Sequence, residues 1–352
     1  MNQLDRYRRR VVITGGAGFI GSNLLRFMVP KYRDYLFVNI DCLTYAGNLA
    51  NLKETENKEN YIFEKIDIRD YERLKSCFDK YDVNAVIHLA AESHVDRSIL
   101  TPEVFIDTNI KGTFNLLELA RRKGGDFRFH HVSTDEVFGS IDDGYFTENS
   151  AYNPSSPYAA SKASADHLVR AYHRTYQLDT VISNCTNNFG PYQFPEKLIP
   201  LVIRNGMKNE VIPIYGDGAN VRSWIYVEDH CRALDMIFHR GKSGETYNIP
   251  GSEELSNTEL VGRICRILDK ILGGGPRENL ISYVGDRPGH DKRYALEGTA
   301  IESEIGWESA CTFNQALERT IQWYLENQQW LDDCITGEYL NYYEKNYLKR
   351  QP

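Results

Sequence analysis

The chain contains no apolar run approaching the roughly 20 residues that a membrane-spanning helix requires, so no helical membrane segment is expected. It is short of positive charge, with 41 Lys and Arg against 49 Asp and Glu and a net charge of −8. Nucleic acid is therefore not expected as a partner, and an anionic small ligand would need cations gathered locally. Cysteine is sparse: seven residues (42, 77, 185, 231, 265, 311 and 334), odd in number and without a CxxC pair. That argues against a disulfide framework and a zinc or other metal site, and implies free thiols in a reducing compartment, the cytoplasm. Arg8, Arg9 and Arg10 precede an apolar stretch, but Gly15 and Gly16 cut it too soon for a secretory signal. Repeats and low-complexity segments are also missing. What remains is ordinary globular composition, 41% hydrophobic and 26% charged over 352 residues, enough for one large domain and a smaller one.

Val11, Val12 and Ile13 read as a short buried strand, followed by a turn with glycines at 15, 18 and 21. Phe19, Ile20, Leu24, Leu25 and Met28 then recur at helical spacing until Pro30. A glycine-rich turn between strand and helix lets backbone amides approach a pyrophosphate. The glycine spacing is GxxGxxG rather than GxGxxG, so the context matters. A second strand, Tyr35–Asp41, ends in a carboxylate about 20 residues after the third glycine. Such a carboxylate accepts from adenosine ribose hydroxyls and repels a 2′-phosphate, favouring NAD over NADP; the bland alternative is a solvated strand end. Strand and helix keep alternating: a strand over 61–67, with Asp67 and Ile68 placed to meet adenine, a helix over 71–80, a buried strand over 84–91 and a long helix over 102–122. Val104, Phe105, Ile110, Phe114, Leu116 and Leu117 mark the apolar side of that helix. A fifth strand over 127–132, a helix over 158–176 and a strand over 180–183 complete a parallel doubly wound sheet with helices on both faces.

We read residues 1–185 as the dinucleotide-binding domain and 186–352 as mainly a smaller α/β substrate-binding domain. A segment near 221–252 is expected to return to the main sheet. Gly190, Pro191 and Pro195 mark the boundary loop. Short strands are expected over 224–227 and 245–249, with a helix over 229–240 between them. Ser256 with Glu259 and Thr312 with Gln315 are the two ends of capping boxes, each opening an amphipathic helix.

Asp135 and Glu136 follow the fifth strand directly, at the end where an open α/β sheet binds ligands. Adjacent carboxylates repel, which pushes one pKa up and splits their roles; residue order alone does not say which one keeps its proton. Tyr158 and Lys162 stand i, i+4 on one helix face. An ammonium near the phenol should favour phenolate and let Tyr158 act as a base. A solvated acidic turn is the alternative reading of the carboxylate pair.

Gly15, Gly18, Gly21, Asp41, Tyr158 and Lys162 together resemble the extended short-chain dehydrogenase/reductases, which are Rossmann-type proteins. Closer still, the chain resembles the dTDP-glucose 4,6-dehydratases, through residues 43–48, 88–98, 133–137, 187–200 and 287–291. The paired Asp135-Glu136 after Thr134 is the specific mark, since epimerases and decarboxylases usually carry small or hydroxyl residues there. The resemblance implies that Tyr158 takes the C4 hydroxyl proton while NAD accepts the hydride, with Lys162 on the nicotinamide ribose. Thr134 would bond the C4 oxygen, Glu136 would remove the C5 proton, and Asp135 would protonate the departing C6 hydroxyl.

The same resemblance implies cofactor contacts from Gly15, Gly18, Phe19, Ile20 and Gly21, then from Asp41, Cys42, Leu43 and Thr44. Asp67, Ile68, Leu89, Ala90, Ala91, Ser93, Thr108, Tyr158, Lys162 and Asn188 complete that set. For the nucleotide sugar it implies Ser93, Thr134, Asn187, Lys197, Leu198, Pro213, Ile214 and Tyr215, with Arg222, Asn257, Arg287 and His290. Lys197, Arg222 and Arg287 would be the local cations for a diphosphate; each alone could be a surface ion-pair residue. Cys42 stands where the family commonly has Lys, Ser223 where it has Asp, and Thr186 and Phe189 where it has Ser and Tyr. These departures leave thymine, uracil or another base open. The superfamily's helix-bundle homodimer would use the 102–122 and 158–176 helices, with Phe105, Leu116, Leu117, Leu168 and Tyr172 as interface or core. A nucleotide-sugar 4-epimerase and a non-catalytic NAD-binding protein are the rival readings: the first has no use for Asp135 and Glu136, and the second typically loses Tyr158 or Lys162.

Overall fold

The computed structural model describes residues 3–335 and Glu344; the part of the proposed second domain beyond 335 otherwise lies outside the described residues. Six strands and their crossover helices come first. They are β1 (Arg9–Thr14), α1 (Phe19–Lys31), β2 (Tyr35–Asp41), β3 (Tyr61–Lys65), α2 (Tyr71–Lys80) and β4 (Ala85–His88). After them come α3 (Val95–Leu100), α4 (Pro102–Phe105), α5 (Thr113–Lys123), β5 (Arg128–Thr134), α6 (Pro157–Tyr176) and β6 (Asp179–Cys185). The remaining part supplies β7 (Asn187–Phe189), α7 (Leu198–Lys208), β8 (Ile212–Tyr215), β9 (Val221–Tyr226), α8 (Val227–Arg240), β10 (Thr246–Ile249), β11 (Glu253–Ser256), α9 (Asn257–Leu272), β12 (Ile281–Val284) and α10 (Phe313–Glu326).

The main sheet has seven strands in the order β10-β6-β5-β4-β1-β2-β3, all parallel. β10 joins it from beyond residue 185 by pairing with β6. The strand order reverses between β1 and β4, the crevice where ligands bind in doubly wound sheets. Alternation sends Val11 and Ile13 into one core with Leu24, Met28 and Leu234, and Val12 into the opposite core with Leu116 and Val169. A third core gathers Phe189, Ile199, Ile214, Trp224, Leu260 and Phe313 around a three-stranded sheet and the β12-β8 pair. Both expected capping boxes form, Ser256 with Glu259 opening α9 and Thr312 with Gln315 opening α10.

Several boundaries differ from the sequence reading. β4 ends at His88 rather than Ala91: the Leu89 amide is shared between the Thr14 carbonyl and hydroxyl, and the Ala90 amide donates to that hydroxyl instead of continuing the ladder. β3 stops at Lys65, so Asp67 lies in the following loop. β9 begins earlier, at Val221, and α8 takes over at Val227. The long helix is not uniform: residues Ile106–Gly112 form a π-helical stretch between α4 and α5, a distortion common at functional sites. Val104 and Phe114, expected on its apolar side, are exposed, whereas Phe105, Leu116 and Leu117 are buried. The distortion shifts the register of the apolar stripe between the two halves. Phe105, Leu116, Leu117 and Tyr172 therefore pack within this chain's own cores.

The glycine turn after β1 is pressed against its neighbours. Gly15 has φ +71°, and a Cβ there would sit 2.8 Å from Ala90 backbone. A Cβ on Gly21 would lie 2.2 Å from the Gly15 carbonyl oxygen. Backbone has no room to yield, so Gly21→Ala should cost about 1–3 kcal/mol of stability. It should also reduce the NAD retained on purification; a variant matching the parent in both thermal midpoint and bound NAD would contradict this account of the turn.

Candidate active site

A cleft of about 440 Å³ opens along the carboxyl ends of the sheet strands. At one end, α1 starts at Phe19 with Gly18 as its cap residue and no side chain on its first amides. Those amides are free to face an anion, with the helix dipole behind them. Gly15, Gly18, Phe19, Ile20 and Gly21 line the cleft here. Asp41 lines it at the end of β2, its carboxylate held by the amides of Ala17 (2.9 Å) and Leu43 (2.8 Å). Each oxygen keeps a lone pair for ribose hydroxyls. Cys42, Thr44, Asp67, Ile68, Leu89, Ala90, Ala91, Ser93, Thr108 and Asn188 also reach the cleft. Leu43 does not; its contribution is the amide that orients Asp41. A cradle closed to any Cβ, a bare helix start and an acidic strand end fit NAD.

At the other end, β5 delivers Thr134, Asp135 and Glu136 beside Tyr158 and Lys162 from α6, all on the same cleft. The Thr134 hydroxyl accepts from the Glu136 amide (3.3 Å) and donates to Asp135 Oδ1 (3.2 Å). Asp135 is 2% exposed, and its Oδ2 makes no hydrogen bond. Burial, reinforced by Glu136 next door, pushes its carboxyl up to about 8, so it is a neutral acid near pH 7. Burial also raises Glu136, but Arg287, Arg222 and Lys197 pull it back toward the carboxylate. Two adjacent carboxyl groups thus meet different surroundings, the condition for separate acid and base roles.

The expected depression of the Tyr158 phenol by Lys162 is corrected. Burial pushes the phenol well above its usual value, and Glu136 and Cys185 push the same way. The Lys162 amine is drawn instead to the Val132 carbonyl at 2.8 Å and to His131 Nε2 at 3.5 Å. Spacing on a helix face sets neighbourhood, and the β5 backbone then decides where the amine points.

Asn187 and Lys197 line the cleft, and Lys197 Nζ lies 3.4 Å from the Ser93 carbonyl. Apart from these two, Ser93 and Thr134, the substrate residues lie outside the cleft lining. Tyr215 donates to Asp96 (3.1 Å), and its ring meets His290 edge-on. The Arg222 guanidinium donates to the Val221, Asp291 and Lys292 carbonyls and lies 4.3 Å from the Tyr294 ring centre. Arg222 and Arg287 both act on Glu136, which sets them on the carboxylate side of the cleft. His290 is tied to Asp286 at 2.6 Å. Pro213 and Ile214 are buried in β8, Ile214 within the third core, so Ile214 has only its backbone to offer a ligand. Leu198 packs against that same core, and Asn257 donates its amide to the Asn220 carbonyl.

Residue patterns missed several groups on the cleft: Tyr45, Arg69, Glu92, Cys185, Gln193 and Glu196. Arg69 grips Asp67 at 2.6 Å, and Tyr45 donates to Glu196 at 2.8 Å. The i, i+2 spacing of Asp67 and Arg69 was the one available signal; Tyr45 and Glu196 are brought together only by folding.

The Asp135 carboxyl binds its proton more tightly in the folded chain than its ordinary value near 3.9. Its stabilising share is therefore fully present below about pH 4 and is lost as pH rises through about 8. Asp135→Asn keeps the neutral shape at every pH. The thermal midpoint of the variant should gain on the parent's as pH rises across that window, and a difference that stays flat would contradict the burial account.

The GDP-mannose 4,6 dehydratase family pattern matches residues 12–320. The dTDP-glucose 4,6-dehydratase of Salmonella typhimurium is 51% identical, over 97% of this chain and all of that protein. The structure of the dTDP-glucose 4,6-dehydratase of Streptomyces venezuelae, solved with NAD bound, superposes with a TM-score of 0.87 at 47% identity, over 93% of this chain and all of that one. The UDP-glucose 4-epimerase of Thermotoga maritima shares the fold at a TM-score of 0.81 but only 27% identity, over 91% of this chain and 99% of that one. The chain belongs to the nucleotide-sugar dehydratase family so described and, within it, to the dTDP-glucose 4,6-dehydratases.

Proposed function

We propose that this chain converts dTDP-glucose to dTDP-4-keto-6-deoxyglucose, and the observation that carries the reading is the unequal pair Asp135–Glu136 beside Tyr158. Tyr158 takes the C4 hydroxyl proton in its phenolate form, which must be reached against the burial that favours the phenol, with the Thr134 hydroxyl on the C4 oxygen. NAD, when bound, supplies the hydride acceptor for C4 and the donor for C6. The C4 ketone acidifies C5–H, and Glu136, whose rise on burial is opposed by Arg287, Arg222 and Lys197, removes that proton as the carboxylate. Asp135, buried and neutral, gives its proton to the C6 hydroxyl, which leaves as water. Glu136 returns its proton to C5. The sugar keeps its hydrogen count apart from the water lost, so the reaction is a dehydration with no net redox change.

Lys197, Arg222 and Arg287 are the proposed diphosphate grip, since guanidinium forks suit phosphate oxygens. Seven free thiols support a reducing cytoplasmic setting. Among the described residues no helix is long and apolar enough to cross a membrane. Leu100, Ile106 and Phe114, exposed along residues 95–123, support a second copy of this chain as partner.

Mass spectrometry of the products from dTDP-glucose and UDP-glucose, without added NAD, tests the reading. Loss of one water from the dTDP sugar is expected; an isomer of unchanged mass would mean an epimerase, and preference for the UDP sugar would overturn the base assignment. The Asp135→Asn/Glu136→Gln double variant should oxidise C4 but not lose water, while Tyr158→Phe should prevent both steps. Free dehydration by the double variant would contradict the carboxylate roles.

A further inference from the structure

Asp166 lies one helical turn beyond Lys162 on α6, is fully unexposed and has no part in the cleft lining. A buried charge is costly unless it is paired. Its Oδ2 accepts from the Ser133 hydroxyl (2.9 Å) and the Tyr152 phenol (2.8 Å), and its Oδ1 lies 3.2 Å from His131 Nε2. Burial alone would push this carboxyl up; His131, Lys162 and Ser133 together hold it below the usual carboxylate range, so it is ionised. That same His131 nitrogen lies 3.5 Å from Lys162 Nζ. The cleft lysine and a carboxylate outside the cleft lining thus both approach one His131 nitrogen, all three groups unexposed or nearly so.

The other groups around Lys162 carry no compensating charge. The Val132 carbonyl accepts from the amine. His131 is pushed down to about 4 by burial, and His88, its ring tilted against it at 5.2 Å, is also pushed down by burial, so both are neutral at pH 7. The Cys185 thiol is pushed up to about 12 by burial and stays a thiol, and Tyr158 is held as a phenol. Burial itself works against the ammonium of Lys162, while Asp166 supports it. Across contacts of 3.2 and 3.5 Å between buried groups, the carboxylate's field crosses the imidazole weakly screened.

We infer that Asp166, acting through His131, is the counter-charge that keeps Lys162 an ammonium inside the cleft, and so is a positioning residue for the acid–base chemistry at Tyr158. The inference rests on the dehydratase reading, with Lys162 one helical turn from Tyr158 on α6 and lining the same cleft. It gives a purpose to a buried His–Asp pair that touches neither cofactor loop nor sugar side. Its sign is definite: removing the negative charge lowers the Lys162 pKa, so the ammonium is lost at lower pH.

Asp166→Asn tests this, because the amide keeps the shape and can still accept from Ser133 and Tyr152. The alkaline limb of the kcat profile should move down by at least one pH unit, about a tenfold loss at a pH on that limb. Acidification should restore the rate, with KM for dTDP-glucose little changed. NMR titration of lysine side chains, with Lys162 assigned through Lys162→Arg, should show the same downward displacement without sugar or turnover. That second measurement separates failure of this inference from failure of the dehydratase reading, which would show as no water loss by the parent. A uniform drop across pH, or a Lys162 titration unmoved by Asp166→Asn, would overturn it. Should Asp166→Asn fail to fold, Asp166→Ser removes the charge with a smaller neutral residue; it must still move the titration downward, and an unmoved one overturns the inference.

Discussion

The burial of Asp135 at the end of a central strand is the constraint on which the active site depends. β5 lies between β4 and β6, so every residue from Arg128 to Thr134 is buried and the backbone cannot shift without breaking two ladders. A carboxyl delivered there, 2% exposed and followed immediately by a second one, cannot ionise at ordinary cost. It keeps its proton. Burial raises Glu136 as well, but there Arg287, Arg222 and Lys197 oppose the rise, whereas at Asp135 the neighbouring Glu136 adds to it. One strand end therefore presents an acid and a base side by side, which elimination of water requires and simple hydride exchange does not.

The remainder of the molecule serves that strand end. The glycine turn, closed to any Cβ at Gly21, brings helix amides to one end of the cleft. Asp41 is aimed by two backbone amides rather than by another side chain, so its outer lone pairs stay available. The cations come from across the boundary loop: Lys197 just before α7, Arg222 in β9, and Arg287 in the segment after β12. An acidic protein thereby holds a positive patch where the substrate's phosphates are proposed to lie.

Much of this was legible in the residue order because it is local. The glycine spacing, the acid at the end of β2, the Tyr–Lys pair and the adjacent carboxylates each lie within a single strand–turn–helix unit, where spacing dictates geometry. The parts that were not legible depend on long-range contacts or on backbone competition. The Thr14 hydroxyl, reached only after β1 and β4 pair, ends β4 three residues early. The π-helical stretch at Ile106–Gly112 rotates Val104 and Phe114 outward, which no helical-wheel argument anticipates. Lys162 faces the Tyr158 side of its helix, yet the Val132 carbonyl and His131 claim its amine. Ile214 shares a strand with substrate-side Tyr215, but alternation turns it into the third core.

The central claim is that one hydrogen leaves C4 and reappears at C6 of the same sugar while Asp135 and Glu136 remove water between. Turnover of dTDP-glucose carrying deuterium at C4, followed by NMR of the product, tests it most directly. The account predicts a 4-keto product that has lost one water and carries the label in its C6 methyl group. Label returned to C4 of an isomerised sugar, or lost to solvent, would contradict it.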